Sequence, residues 1–151
     1  MQKKFLLIIG IALLSLNANA QENIVTIKAA DINTLVISPH LNVMIFESPE
    51  KDYPFSFDKK AAEKISVKTC GKYLEISGDN IPSSTTIYVY VSRLRHLVVG
   101  ENSSVVTGIL QSEKLSVYVN EGSKAHVKVT GKIKAYPATD YGILVETIPM
   151  H

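Results

Sequence analysis

Tryptophan is missing from this chain, cysteine occurs once, and beyond residue 20 neither sign of charge is in excess. Each shortage removes a class of protein. The lone cysteine, Cys70, has no partner for a disulfide, so stability must come from an apolar core. The expectation for Cys70 is a small buried hydrophobe rather than a nucleophile. The charge balance depends on where counting starts. The full chain has 16 Lys and Arg against 14 Asp and Glu, and the first twenty residues hold Lys3 and Lys4 with no acid. The remaining 131 residues therefore carry fourteen charges of each sign. A nucleic-acid ligand calls for a net basic surface, so no nucleic-acid partner is expected.

What is present begins with "MQKKFLLIIGIALLSLNANA". Lys3 and Lys4 form a positive n-region, Phe5 to Leu16 an apolar stretch, and Ala18-Asn19-Ala20 a small-x-small cleavage signal. The apolar stretch falls short of the roughly 20 residues a bilayer span needs. Residues 1–20 thus read as a cleaved secretory signal, leaving Gln21 first and placing the product outside the cytoplasm, in the periplasm, on the outer surface or in the medium. No cysteine follows the apolar stretch to take a lipid, and no later segment reads as a membrane span. Residues 21–151 have the length of one domain.

That domain reads as strand after short strand. "NIVTIKA", "TLVISP", "LNVMIFE", "KISVKT", "KYLEIS", "TTIYVYV", "LRHLVVG", "KLSVYVN", "AHVKVTG" and "GILVETI" are rich in Val, Ile, Thr or Tyr, and turn material such as "SGDN", "GENSS" and "NEGSK" separates several of them. Only "DKKAAEK", residues 58–64, looks helical. "TCGKYLEIS" suggests a local hairpin with Gly71 supplying the positive φ of a two-residue turn. The fold class expected is all-β.

The second half looks repetitive. Setting "LRHLVVGENSSVV" from Leu94 against "LSVYVNEGSKAHV" from Leu115 gives a spacing of about 21 residues. In each copy an apolar strand enters a Gly/Asn/Ser/Glu turn and then a second strand, closing at Thr107-Gly108 and at Thr130-Gly131. One coil of a β-solenoid has this length. A β-sandwich spaces its strands similarly, so both architectures stay open on spacing alone.

The order of these strands resembles the head GIN domain of auto-transporter adhesins, a domain of unknown function in secreted and surface proteins of Gram-negative bacteria. The resemblance runs from "INTLVISPHLNVMIFE" through "KISVKTCGKYLEISGD" to "IYVYVSRLRHLVVGENSSVVTGILQSEKLSVYVNEGSKAHVKVTGKIKA" and so covers nearly all of residues 21–151. Its Gly-Ile-Asn falls on His40-Leu41-Asn42, with Asn kept and Gly replaced. The resemblance implies a right-handed β-solenoid, or β-helix-like stack of short strands, and an adhesin-like role outside the cytoplasm. Loss of the glycine suggests that His40 is a surface substitution without a positive φ.

Candidate chemistry is sparse. Glu101 and Glu121 are the acids placed to stack between coils, but both lie in polar turns without the apolar setting that tunes a general acid. His40, His96, His126 and His151 lack metal-pair spacing. No catalytic residue, metal or cofactor is expected, and a β-helix carbohydrate-active enzyme remains the alternative on fold analogy only. The tyrosines stand out more. Alternation puts Ile87, Val89 and Val91 on one face of their strand and Thr86, Tyr88 and Tyr90 on the other, and sets Tyr118 against Leu115, Val117 and Val119. Tyr88, Tyr90 and Tyr118 are therefore the candidate binding residues, an exposed aromatic strip for a surface glycan or a protein. Ordinary cross-strand pairing of the rings is the plainer reading.

In "ISPHLNVMIF", Leu41, Val43 and Ile45 share one face while Asn42, Met44 and Phe46 share the other. Apolar residues on both faces predict a strand covered on both sides, with Asn42 as a structural clamp. Gly108 and Gly131 are expected to be structural too, closing equivalent coils. Taken together, the sequence describes a secreted, non-enzymatic all-β module with a surface-binding or structural role.

Overall fold

A computed structural model describes residues 24–29, 32–47, 56–57, 63–82, 84–139 and 142–149. The signal segment lies outside them, as does the helical expectation at 58–64 except for Glu63 and Lys64, which form a turn. The described residues form β-strands and turns with no helix, in two sheets. The protein is all-β.

The strands are β1 (Ile24–Ala29), β2 (Thr34–Ile37), β3 (Asn42–Glu47), β4 (Ser56–Phe57), β5 (Ile65–Cys70), β6 (Tyr73–Gly78), β7 (Thr86–Val91), β8 (His96–Val99), β9 (Ser104–Leu110), β10 (Lys114–Val119), β11 (Lys124–Val129), β12 (Lys132–Pro137) and β13 (Ile143–Thr147). The seven-stranded sheet runs β13-β11-β9-β3-β7-β1-β4 and the six-stranded sheet β12-β10-β8-β2-β6-β5. From β7 onward each strand belongs to the sheet opposite its predecessor, and strands of successive turns pair in parallel. The two antiparallel pairings, β1 with β4 and β5 with β6, close the other end. The expected hairpin is there, with Gly71 at φ 59°.

Strict alternation forms the core. Leu74, Leu35, Leu97 and Val117 are register neighbours across β6, β2, β8 and β10, and all face the opposite sheet. Val25, Ile87, Val43, Val105 and Ala125 make the facing row across β1, β7, β3, β9 and β11. Each aliphatic side chain so buried is worth about 1.5–3 kcal/mol. A slip of one residue would turn a whole strand's apolar set to solvent.

That register corrects the repeat. Val117 pairs with Leu97 and Ala125 with Val105, a spacing of 20 residues, and it puts His96 beside Ser116 rather than Val117. The two Thr-Gly steps are not equivalent either. Gly108 lies within β9, where the pairing with β11 slips by one residue, whereas Gly131 precedes β12. A Cβ on Gly131 would stand 1.5 Å from the Ser112 carbonyl oxygen, so the backbone there has no room for a side chain.

The first half is interleaved rather than sequential. β3 lies between β7 and β9, and β2 between β6 and β8, so β1-β2-β3 is threaded between strands formed much later in the chain. Cys70 departs from expectation as well: it is exposed. It ends β5, an edge strand whose residues after Ile65 are mostly exposed, beside the Gly71 turn.

Candidate functional site

The corners joining the two sheets repeat a four-residue unit: Ser38-Pro39-His40-Leu41, Gly100-Glu101-Asn102-Ser103 and Asn120-Glu121-Gly122-Ser123. The His40 N–H donates to the Glu101 carbonyl at 3.0 Å, and the Asn102 N–H to that of Glu121 at 3.1 Å. The third residue of each unit is left-handed, with φ of 66° at His40, 53° at Asn102 and 73° at Gly122. The expectation that His40 needs no positive φ is thus overturned. His40 is exposed at the surface, but it holds the conformation glycine adopts most readily.

Serine ties these corners together. Ser103 Oγ accepts the Leu41 N–H at 3.1 Å and donates to the Ser38 carbonyl at 3.0 Å. One corner further on, Ser123 Oγ accepts the Ser103 N–H at 3.0 Å and donates to the Gly100 carbonyl. Both serines are buried, and each hydroxyl satisfies a backbone N–H and a backbone carbonyl of neighbouring segments. Asn42 is half-buried at the start of β3 in register with Ser104, next to this network.

The structure divides the tyrosines. Tyr88 and Tyr90 lie on β7 in the seven-stranded sheet, while Tyr118 lies on β10 in the six-stranded sheet, so the three do not form one strip. Phe46 joins the first two, stacked on Tyr90 at a centroid distance of 5.5 Å and edge-on to Tyr88 at 5.8 Å. Gly108 makes room for it, since a Cβ there would lie 3.3 Å from the Phe46 ring. Tyr118 stacks on its register partner Tyr136 at 4.7 Å with planes 10° apart. Tyr118 and Tyr136 therefore pair face to face, whereas Tyr88 meets Phe46 edge to face.

The residue opposite Tyr88 on β3 is Met44, and the row continues through Val106 on β9 and His126 on β11 to Leu144 on β13. It crosses the outer face of the seven-stranded sheet. Val106 is 38% exposed, Leu144 57%, and nearby Ile109 50%. The prediction that "LNVMIF" is covered on both sides therefore needs revision. Met44 and Phe46 are half-buried, with tyrosine rings and apolar neighbours beside them on the face. Alternation set Phe46 on the face opposite Val43 and Ile45, but its grouping with Tyr88 and Tyr90 depends on β3–β7 pairing, which no local pattern announces.

Titratable groups stay dispersed. His96 and His126 lie on different sheets, and His126 Nε2 is 2.9 Å from Glu146 Oε1. Glu101 and Glu121 occupy matching exposed corner positions. Among the described residues no three His, Cys, Asp or Glu side chains gather as a metal site, and no helix is long and apolar enough to cross a membrane. Glu47 ends β3 with Oε2 accepting the Gln111 N–H at 2.7 Å. Burial raises its pKa above the ordinary value, opposed by that hydrogen bond. Compared with family models, curated proteins and solved structures, the chain matches none.

Proposed function

We propose that this chain is a secreted, non-enzymatic β-solenoid of the head GIN type, working as a surface-binding module. The observation that carries the binding reading is the outer face of the seven-stranded sheet, where Tyr88, Met44, Val106, His126 and Leu144 form one row beside Tyr90, Phe46 and Ile109. Parallel sheets are ordinarily covered on both faces, and the apolar residues left open on one of them, divided by the His126–Glu146 pair, suit a partner. The aliphatic character of Val106, Ile109 and Leu144 favours a protein surface over a glycan.

Two further features support the solenoid part. Strands from β7 onward alternate between sheets at a 20-residue register. The left-handed position held by His40 is where the head GIN pattern carries its glycine. The "MQKKFLLIIGIALLSLNANA" leader supports export, with Gln21 as the first residue of the product. The test has two arms. Expression of the full chain with fractionation and N-terminal sequencing should recover a product starting at Gln21 outside the cytoplasm. That product, labelled and applied to envelope-protein and glycan arrays, should be retained on protein. Retention on glycans alone would contradict the partner assignment, and retention on neither would remove the binding reading.

A further inference from the structure

The stack is unfinished at the end formed by β12 and β13. Each of these strands has a neighbour on one side only. The core also stops short there. Val117 and Val127 are fully buried, but their register partners Ala135 and Val145 are exposed and half-buried. Ile133 and Ile143 pack against the core yet stay half open. A stacked fold of this kind needs its last coil covered.

The backbone shows which groups are left over. On β12 the Lys132 and Ala138 N–H groups donate to the Glu113 and Val119 carbonyls at 3.3 and 2.8 Å. On the other sheet the Ile148 N–H donates to Val129, and the Gly142 carbonyl accepts the Ala125 N–H. In a parallel ladder alternate residues turn both their groups to the same side. The even-numbered residues of β12 and β13 therefore serve β10 and β11. Those of Ile133, Ala135, Ile143, Val145 and Thr147 point away from the stack, where no strand follows among the described residues. Pro137 belongs to the same outward series, so its missing N–H takes nothing from the β10 ladder.

We infer that this end binds a second copy of the chain, about a two-fold axis that runs between the sheets and parallel to the strands. The rotation sets β12 beside β13 of the copy, and β13 beside its β12. The coil itself fixes the register. The corner after Pro137 leads into Ile143, while Ile133 and Thr147 line one groove at the opposite end of the coil. β12 and β13 thus run in opposite directions, and the new pairings are antiparallel. Ile133 meets Thr147 of the copy, Ala135 meets Val145 and Pro137 meets Ile143. These are the residues with outward backbone groups, as the hydrogen-bonded pairs of an antiparallel ladder require. Two such ladders supply about ten backbone hydrogen bonds, the usual complement of a protein interface.

The charges agree with that register. On the outer faces it places Lys134 beside Glu146 of the copy and Tyr136 beside Leu144. Glu146 already has Lys128 as its partner on β11, so the acid stands between two lysines. Pairing β12 with β12 of the copy instead brings Lys132 and Lys134 toward their own counterparts, which weakens a sheet. The other end of the stack does not offer the same contact. Its edge strand β4 has two residues and cannot pair along the five of β13, so the assembly closes at two copies. The contact does not use the apolar outer face, and either reading can fail without the other.

The experiment is sedimentation equilibrium of residues 21–151 between about 1 and about 500 µM. The wild type should pass from monomer to dimer over this range. Lys134→Glu and Glu146→Lys should each weaken the dimer at least about tenfold. An equimolar mixture of the two variants should recover it, because every ladder of the mixed pair regains one acid and one lysine. Ala135→Pro removes an outward N–H, spares the β10 ladder, and should weaken the dimer similarly. Far-UV circular dichroism first establishes that each variant keeps its strands. A wild type that stays monomeric throughout would overturn the inference, as would wild-type dimerisation in the folded variants or a mixture that fails to recover. Growth beyond two copies would overturn the two-fold arrangement. Tyr88→Ala/Tyr90→Ala should dimerise as wild type, and a loss there would move the contact to the outer face.

Discussion

Ser103 and Ser123 occupy the same position in successive corners, and the backbone N–H of the first donates to the hydroxyl of the second at 3.0 Å. Each hydroxyl also reaches back to the carbonyl of the preceding corner, at Ser38 and at Gly100. Removing either oxygen leaves a buried N–H without its partner, and takes a donor from a carbonyl that is part-buried at Ser38 and buried at Gly100. Ser103→Ala and Ser123→Ala should each cost about 1–3 kcal/mol, read as a lowered urea midpoint at unchanged slope. A cost under about 0.5 kcal/mol in both variants would mean that water or relaxation satisfies those groups.

His40, Asn102 and Gly122 share a left-handed backbone, so their tolerance of substitution should follow that geometry. His40→Gly should match or exceed wild-type stability by up to about 1 kcal/mol, while His40→Val should lose about 1–2 kcal/mol, as its branched side chain resists positive φ. Gly122→Ala should lose more than conformational strain alone, because its new Cβ would meet the Asn102 side chain at 2.0 Å. Thermal unfolding of the three variants gives the ranking.

The pH dependence of stability should carry a contribution from Glu47. Burial raises its carboxyl pKa in the folded state, so the folded protein holds that proton more tightly than the unfolded chain. The stability this contributes is present below the ordinary value of 4.5 and falls as pH rises from there through the folded pKa. Glu47→Gln keeps an acceptor for the Gln111 N–H and cannot ionise. The variant should therefore gain on the wild type as pH climbs through that window, measured by urea unfolding across it. A gap between the two proteins that stays constant with pH would contradict the assignment.

Cys70 is exposed at the end of β5. A thiol reagent should modify it in the native protein at nearly the rate seen in urea, without lowering the unfolding temperature. Protection that vanishes only on unfolding would restore the buried reading.

The sequence disclosed the elements that have local signatures. Alternation assigned Ile87, Val89 and Val91 inward and Tyr88 and Tyr90 outward, and Gly71 marked its hairpin. β12 escaped because Lys132, Lys134 and Pro137 dilute its β character, and an edge strand tolerates them. The 20-residue register was missed by one because Leu94 and Leu115 both read as strand starts, although Leu94 lies before β8. The threading of β2 and β3 between later strands had no sequence signal, since pairing at such separation is decided by the packing of the two aliphatic rows. The serine link was hidden for the same reason: Ser103 and Ser123 read as polar turn residues until the corners are stacked.

The central claim, that the outer face of the seven-stranded sheet is a binding surface, is tested most directly by retention of the labelled mature chain on immobilised cell-envelope protein. Wild type is compared with Tyr88→Ala/Tyr90→Ala and with Val106→Ser/Leu144→Ser, each first shown by far-UV circular dichroism to keep its strand content. The account predicts at least about a tenfold loss of affinity in both pairs, with Tyr118→Ala, on the other sheet, binding as wild type. Undiminished retention of both folded pairs, or loss confined to Tyr118→Ala, would contradict it.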